Sequence, residues 1–208
     1  MNIIWKGSPN FSKRTQPIRK IVIHWFGIGT LESANARFQN KANQTSAHYG
    51  ISKGRVWQWV KEQDVAWHAG NWAVNSESIG IEHDAVLNKH DLTEQDYQLS
   101  GELVAGICQR YGIPLDRKHI IGHREAKATQ CPGTVNIDKI IAIAETHLYK
   151  KLSLIKKIGE PTLYVLDSNE AMLFGVTPEA GAKLGSYEVI ELSAAEFSKY
   201  RVSKALLQ

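Results

Sequence analysis

The stretch Ile21-Val22-Ile23-His24 decides how the fold is read: three β-branched apolar residues in succession, then a histidine. Such a run reads as a buried strand, and a histidine at its end is held by the sheet rather than by a mobile loop. The same pattern returns at Ile120-Ile121-Gly122-His123. Working outward, Gly27 and Gly29 lead to Thr30, a cap for a short helix containing Ala34, Arg37 and Phe38. Ser46 to Ile51 reads as a strand that Lys53-Gly54 turns into Arg55 to Val60, and Ser78 to Glu82 as another strand. Thr93-Glu94-Gln95-Asp96 has the form of a capping box, with Asp96 reaching back. Behind it Leu103, Val104, Ile107, Cys108 and Tyr111 recur at helical spacing until Gly112 and Pro114; Ile137, Ile140, Ile141, Ala144 and Leu148 mark a second amphipathic helix. Residues 1–150 therefore read as an α/β domain with a central mixed β-sheet flanked by helices.

Composition changes near Tyr149. Lys150-Lys151 and Lys156-Lys157 bracket a weakly patterned stretch. Strand-like pieces follow at Thr162 to Leu166, Met172 to Val176 and Tyr187 to Leu192, with a turn at Asp167-Ser168-Asn169 and a helix expected from Ala194 to about Leu207. Residues 151–208 are read as a small C-terminal α+β module, either wall-binding or bracing the first domain.

The chain has 208 residues, 43% hydrophobic, the composition of a soluble globular protein. No run approaches the roughly 18 apolar residues of a membrane span, and Met1 to Phe11 lacks a signal-peptide core. The expectation is synthesis in the cytoplasm without a signal peptide, no membrane insertion, and a monomer. Of the 25 basic and 21 acidic residues, 18 and 14 fall in 1–150 and 7 of each in 151–208, so the surplus of four lies in the larger segment. The basic residues form no dense stripe, which argues against nucleic acid; an acidic polymer is a partner that such a surplus suits.

The candidate chemistry lies at the strand ends. Cys131 follows His123 by eight residues, just ahead of the Pro132-Gly133 turn, so its sulfur can return beside His123. Two nitrogen donors and one sulfur, from His24, His123 and Cys131, suit zinc (Zn2+) and leave a fourth tetrahedral position for water, the pattern of a hydrolytic site. The competing readings are hydrogen-bonded core histidines, a Cys108–Cys131 disulfide or two unrelated buried thiols, and a structural zinc whose fourth ligand is His48 or Cys108. Cys108, on the inner face of its helix, is best read as a small core residue.

Ser46-Ala47-His48-Tyr49, Ala66-Trp67-His68-Ala69-Gly70, Ser78-Ile79-Gly80-Ile81-Glu82, Gly122-His123-Arg124-Glu125 and Cys131-Pro132-Gly133, in that order, resemble the zinc amidases that cut peptidoglycan between N-acetylmuramic acid and L-alanine. That family includes amidase-type phage lysozymes, muropeptide-recycling amidases and animal peptidoglycan recognition proteins, and the resemblance spans Ile21 to Leu148. It implies zinc on His24, His123 and Cys131, Tyr49 turned toward the metal as a donor to the oxyanion or water, and Glu82 as the proton-transfer group. The alternative for Glu82 is a strand-end salt-bridge partner. Trp67 and His68 match a motif that lines the substrate groove, with core packing the alternative for Trp67. Arg124 is expected on a carboxylate, of the stem peptide or of the protein, and Glu125 or His119 beside a ligand histidine. There are two departures. Thr129 stands where several relatives have a lysine, with Lys127 nearby, and Trp25 stands where many have a second histidine, shaping the groove floor. The resemblance implies a peptidoglycan-degrading hydrolase, with a phage endolysin favoured over a bacterial recycling amidase or a non-catalytic recognition protein. Such an endolysin would be made in the host cytoplasm and act on the wall.

Overall fold

The computed structural model describes residues 1–27, 29–86, 90–149, 152–159, 162–167, 172–176, 189–199 and 201–207. The run at Ile21 is the centre of β3 (Lys20–Trp25), whose residues 21–24 are all buried. Around it are β1 (Ile3–Trp5), β4 (Tyr49–Ser52), β5 (Arg55–Gln58), β7 (Ser78–His83) and β8 (Ile120–Gly122), forming one sheet in the order β1-β5-β4-β7-β3-β8. Only the β4–β5 hairpin is antiparallel. Its turn, Lys53-Gly54, has φ of 50° and 73°, the left-handed pair that a two-residue hairpin needs. A separate two-stranded ribbon pairs β2 (Phe11–Lys13) with β6 (Asp64–Ala66).

Side chains alternate across a strand. Ile21 and Ile23, with Ile79, Ile81, Ile51 and Tyr49, enter the main core, where α3 (Glu94–Tyr111) and α5 (Ile137–Tyr149) contribute Leu103, Val104, Ile107, Cys108, Ile140 and Ala144. Val22 and His24 alternate with them and point the other way. A second cluster gathers Leu31, Ala34 and Phe38 of α1 (Leu31–Gln39) with Trp57, Trp59 and Val60. Thr30 caps α1, accepting from the Ser33 N–H, and Gly112 at φ 63° ends α3. The capping box at Thr93 is only half formed. Thr93 accepts from the Asp96 N–H, but the Asp96 carboxylate accepts from the Lys53 and Gly54 N–H groups and so ties the hairpin turn to the helix. Two short helices, α2 (Trp72–Ser76) and α4 (His123–Ala126), lie beside the sheet ends. The α/β expectation of a mixed sheet flanked by helices holds.

The chain divides into two compact units, Met1–Glu145 and Thr146–Gln208. The second is a five-stranded sheet in the order β12-β9-β10-β11-β13, built from β9 (Leu152–Lys157), β10 (Leu163–Asp167), β11 (Met172–Val176), β12 (Val189–Leu192) and β13 (Arg201–Leu207). Two expectations are corrected. The stretch between the lysine pairs is strand β9, and the terminal helix is confined to α6 (Ala194–Phe197), after which Arg201–Leu207 runs parallel to β11. Pairing with an open strand edge overrides the helix preference of Lys204, Ala205 and the leucines. Residues 168–169 of the expected turn and 187–188 of the expected strand lie outside the described residues. No described helix is long and apolar enough to cross a membrane.

Candidate metal centre

Three adjacent strands position the site. β3 lies between β7 and β8, with His24 in register with Glu82 and Ile23 with Gly122. His24 thus closes β3, and His123 begins α4 directly after β8. Cys131 is brought in by the loop after α4, which Arg124 braces: its guanidinium donates to the carbonyls of Gln130 and Gly133, both at 2.8 Å. The Cys131–Pro132 peptide is cis. Gly133 has φ 64° and lies under the Trp25 ring, where a Cβ would come within 1.9 Å, so both conformation and space demand glycine. Cys131 Sγ accepts from the Trp25 N–H at 3.4 Å.

One donor atom from each of His24, His123 and Cys131 lies within 4.8 Å of the others. His24 Nδ1 is 3.6 Å from Cys131 Sγ. With Zn–N and Zn–S bonds of about 2.0 and 2.3 Å, a tetrahedral N···S edge is about 3.5 Å, so this pair is spaced for the ion. His123 Nε2 donates to the Ala69 carbonyl at 2.9 Å, which leaves its Nδ1 lone pair free. The donor set fits zinc in chemistry as well as in spacing. Burial holds His24 well below the ordinary histidine pKa, helped by His123, and lowers His123 too, with the Lys127 ammonium adding to the effect. Both imidazoles are neutral, as ligands must be. Burial and the Glu82 carboxylate push the Cys131 thiol up to about 12, so only a bound cation would make it a thiolate. Cys108 and Cys131 are both free, and Cys108 lies in the main core. His48 accepts from the Gly80 N–H on Nδ1 and meets the Asp64 carbonyl and Arg14 at Nε2. Neither is a fourth ligand, and the donor set among the described residues stops at three.

These groups open into a cleft of about 550 Å³. Glu82 forms part of its lining, and burial raises its carboxyl to about 8, partly offset by the Arg37 guanidinium on the α1 wall. Glu82 Oε2 is buried with no hydrogen-bond partner among the described residues. No salt bridge to Glu82 forms among those residues, which leaves this carboxyl oxygen facing no protein donor. Trp25 and Thr129 also line the cleft, and the Thr129 hydroxyl accepts from the Cys131 N–H at 3.3 Å.

The expectations for Tyr49, Glu125 and His119 are corrected. Tyr49 does not face the metal donors: it is in register with Ile81 and shares that residue's face, while Glu82 is in register with Gly50. Its hydroxyl donates to Glu62 Oε1 at 2.8 Å, in a cluster completed by Arg110 and Tyr111. Trp67 lines a separate shallow cleft with Ser12 and Trp72, and its indole N–H donates to the Ser12 hydroxyl. His68 lines the metal cleft as expected, buried with both ring nitrogens engaged, Nδ1 on His24 and Nε2 on Ser78. Arg124 braces the cysteine loop through backbone carbonyls rather than a protein carboxylate among the described residues; Glu125 accepts from Gly122 N–H and Arg117, and His119 pairs with Asp116, so neither of these two is bonded to His24 or His123. Arg37 on the cleft wall and the Ala69 carbonyl behind His123 went unread in the sequence.

A sequence profile of the N-acetylmuramoyl-L-alanine amidase family matches residues 14–134, more than half of the chain. The chain belongs to that family. It is 34% identical over 115 residues to N-acetylmuramoyl-L-alanine amidase A of Achromobacter lyticus, covering 53% of this chain and 63% of that one. With the endolysin PlyTW of Staphylococcus phage Twort it shares 31% over 96 residues, 45% of this chain and 20% of the phage protein. It thus spans less than two thirds of the length of either relative. Among solved structures, a mutant endolysin from Bacillus subtilis superposes with a TM-score of 0.59 at 23% identity, covering 69% of this chain and 99% of that one. The matched residues hold the whole donor set and Glu82, all within the first unit.

Proposed function

We propose that this chain is a zinc-dependent hydrolase that cleaves the amide between N-acetylmuramic acid and L-alanine in peptidoglycan. The observation that carries the reading is a three-donor set with no fourth protein ligand among the described residues, beside a buried carboxyl whose Oε2 has no partner there. Zinc on His24, His123 and Cys131 would supply Lewis acidity to the lactyl carbonyl and to attacking water. The chain's own residues do the rest. Glu82, whose Oε2 has no protein partner among the described residues, is placed to take a proton once ionised beside the bound cation and to return it to the leaving amine of L-alanine. The Thr129 hydroxyl, which accepts from the Cys131 N–H, keeps its own proton to donate to negative charge developing at the carbonyl oxygen. A hydroxyl gives a hydrogen bond there without charge. Trp25, packed closely against Gly133, offers an aromatic wall for the sugar and peptide.

We further assign the protein the role of a phage endolysin, with residues 151–208 acting at the wall. This is supported by the 31% identity to the Twort endolysin and by a second compact unit beyond the catalytic one. The same fold serves recognition proteins that do not cut; the presence of Cys131 favours cleavage. The test is incubation of purified peptidoglycan with metal-depleted and zinc-reconstituted protein, following release of stem peptides. Zinc-restored release with sugar chains intact is expected. Tight sedimentation with the wall at full zinc loading and no release would make the protein a binder.

A further inference from the structure

Both ligand histidines are held from one point. His24 Nε2 lies 2.9 Å from His68 Nδ1, and His123 Nε2 lies 2.9 Å from the carbonyl of the next residue, Ala69. The backbone of this dipeptide is itself pinned: Asn75 Oδ1, at the end of α2, accepts from the N–H of His68 at 3.3 Å and of Ala69 at 2.8 Å. The His68 ring continues to the Ser78 hydroxyl at 3.3 Å, and that hydroxyl donates to the Val74 carbonyl at 2.6 Å. The directions are forced from the far end. Because the Ser78 proton is on Val74, Ser78 oxygen accepts from His68 Nε2–H. His68 Nδ1 is then an acceptor, and His24 donates to it from Nε2. Gly80 makes room for this ring, since a Cβ there would lie 2.5 Å from His68 Cγ.

We propose that Asn75 and the His68–Ala69 dipeptide form one clamp that fixes both imidazoles as Nε2–H tautomers with their Nδ1 lone pairs turned to the metal. His68 and Asn75 are therefore positioning residues, acting through His24 and His123 rather than on the substrate. The inference rests on the reading of His24, His123 and Cys131 as zinc ligands. Partners in this position orient a ligand and raise its basicity, and losing one weakens metal binding by roughly 10–100-fold.

The experiment measures zinc Kd in the full chain by competition with a chromophoric chelator, alongside the Tm of each metal-free variant. Asn75→Ala and His68→Leu should bind zinc roughly 10–100-fold more weakly. Asn75→Asp, which keeps the acceptor, and His68→Asn, which puts an amide oxygen near the Nδ1 position, should recover most of the affinity at similar Tm. Long-range ¹H–¹⁵N spectra of the metal-free wild type should show His24 and His123 both protonated on Nε2, a readout that needs no variant to fold. Unchanged Kd in folded Asn75→Ala and His68→Leu, or an Nδ1–H tautomer at either ligand, would overturn the clamp. A wild type that binds no zinc, or binds it equally after His24→Ala, would overturn the metal site itself, and the clamp with it.

Discussion

His24 on β3 and Glu82 on β7 are register partners on adjacent parallel strands, so a candidate metal donor and a buried carboxyl emerge side by side from the same face of the sheet. The sheet fixes this neighbourhood through main-chain pairing, and the pair stays fixed when loops move. From it follow distinct roles for the two residues.

His24→Ala, His123→Ala and Cys131→Ala should each abolish both stoichiometric zinc binding and wall lysis, because two remaining donors do not hold the ion at working concentrations. Zinc content by atomic absorption, read beside lysis, checks this. Full zinc with lost lysis would mean the residue is not a ligand.

Glu82→Gln should leave zinc in place and lower kcat by roughly 10²–10⁴, the contribution of an acid/base group. The amide is close to isosteric but cannot shuttle the proton. A near-normal rate would remove Glu82 from the mechanism.

Tyr49→Phe should leave kcat within about twofold while costing about 1–3 kcal/mol of stability, the range for a lost hydrogen bond to a buried charged partner. The Tyr49 hydroxyl serves Glu62, on the far face of the sheet from the cleft. A collapse of kcat with an unchanged Tm would return Tyr49 to the active site.

Acid should weaken the metal-free fold through His48. Burial, with the Arg14 guanidinium adding to it, lowers the His48 pKa from 6.5 to about 3. A folded pKa below the unfolded one means that the stabilisation is fully present above pH 6.5 and is lost progressively as pH falls toward 3. Glu82 has the opposite sign: raised to about 8, it favours the fold as pH falls through that value. The informative quantity is therefore the difference between wild type and His48→Asn, which keeps an acceptor for the Gly80 N–H. Between pH 7 and 5 the wild type should lose more Tm than the variant; parallel curves would contradict the assignment.

What could be read from the chain follows from where its signals are strong. β3 and β8 announce themselves as β-branched apolar runs, and the candidate ligands His24 and His123 at their ends come with them. Tyr49 was misplaced because strand faces alternate, so one residue of offset moves a side chain from cleft to core. Trp67 and His68, just past the end of β6, line different clefts. Three-residue strands such as β1, β2 and β6 are too short to show a period. Asn75 gave no pattern because it acts on main-chain N–H groups, and Ala69 acts through a carbonyl that any residue would carry. In the second unit, Arg201–Leu207 has a helix former's composition, and only its pairing with β11 makes it a strand.

The central claim is tested most directly by where solvent oxygen ends up when zinc-loaded protein digests peptidoglycan in H₂¹⁸O. Hydrolysis of the lactyl amide predicts ¹⁸O in the muramic acid carboxyl and a free L-alanine amine on an unlabelled peptide, with neither product after chelation. Label at a reducing sugar end or within the stem peptide, or the same products without metal, would contradict the account.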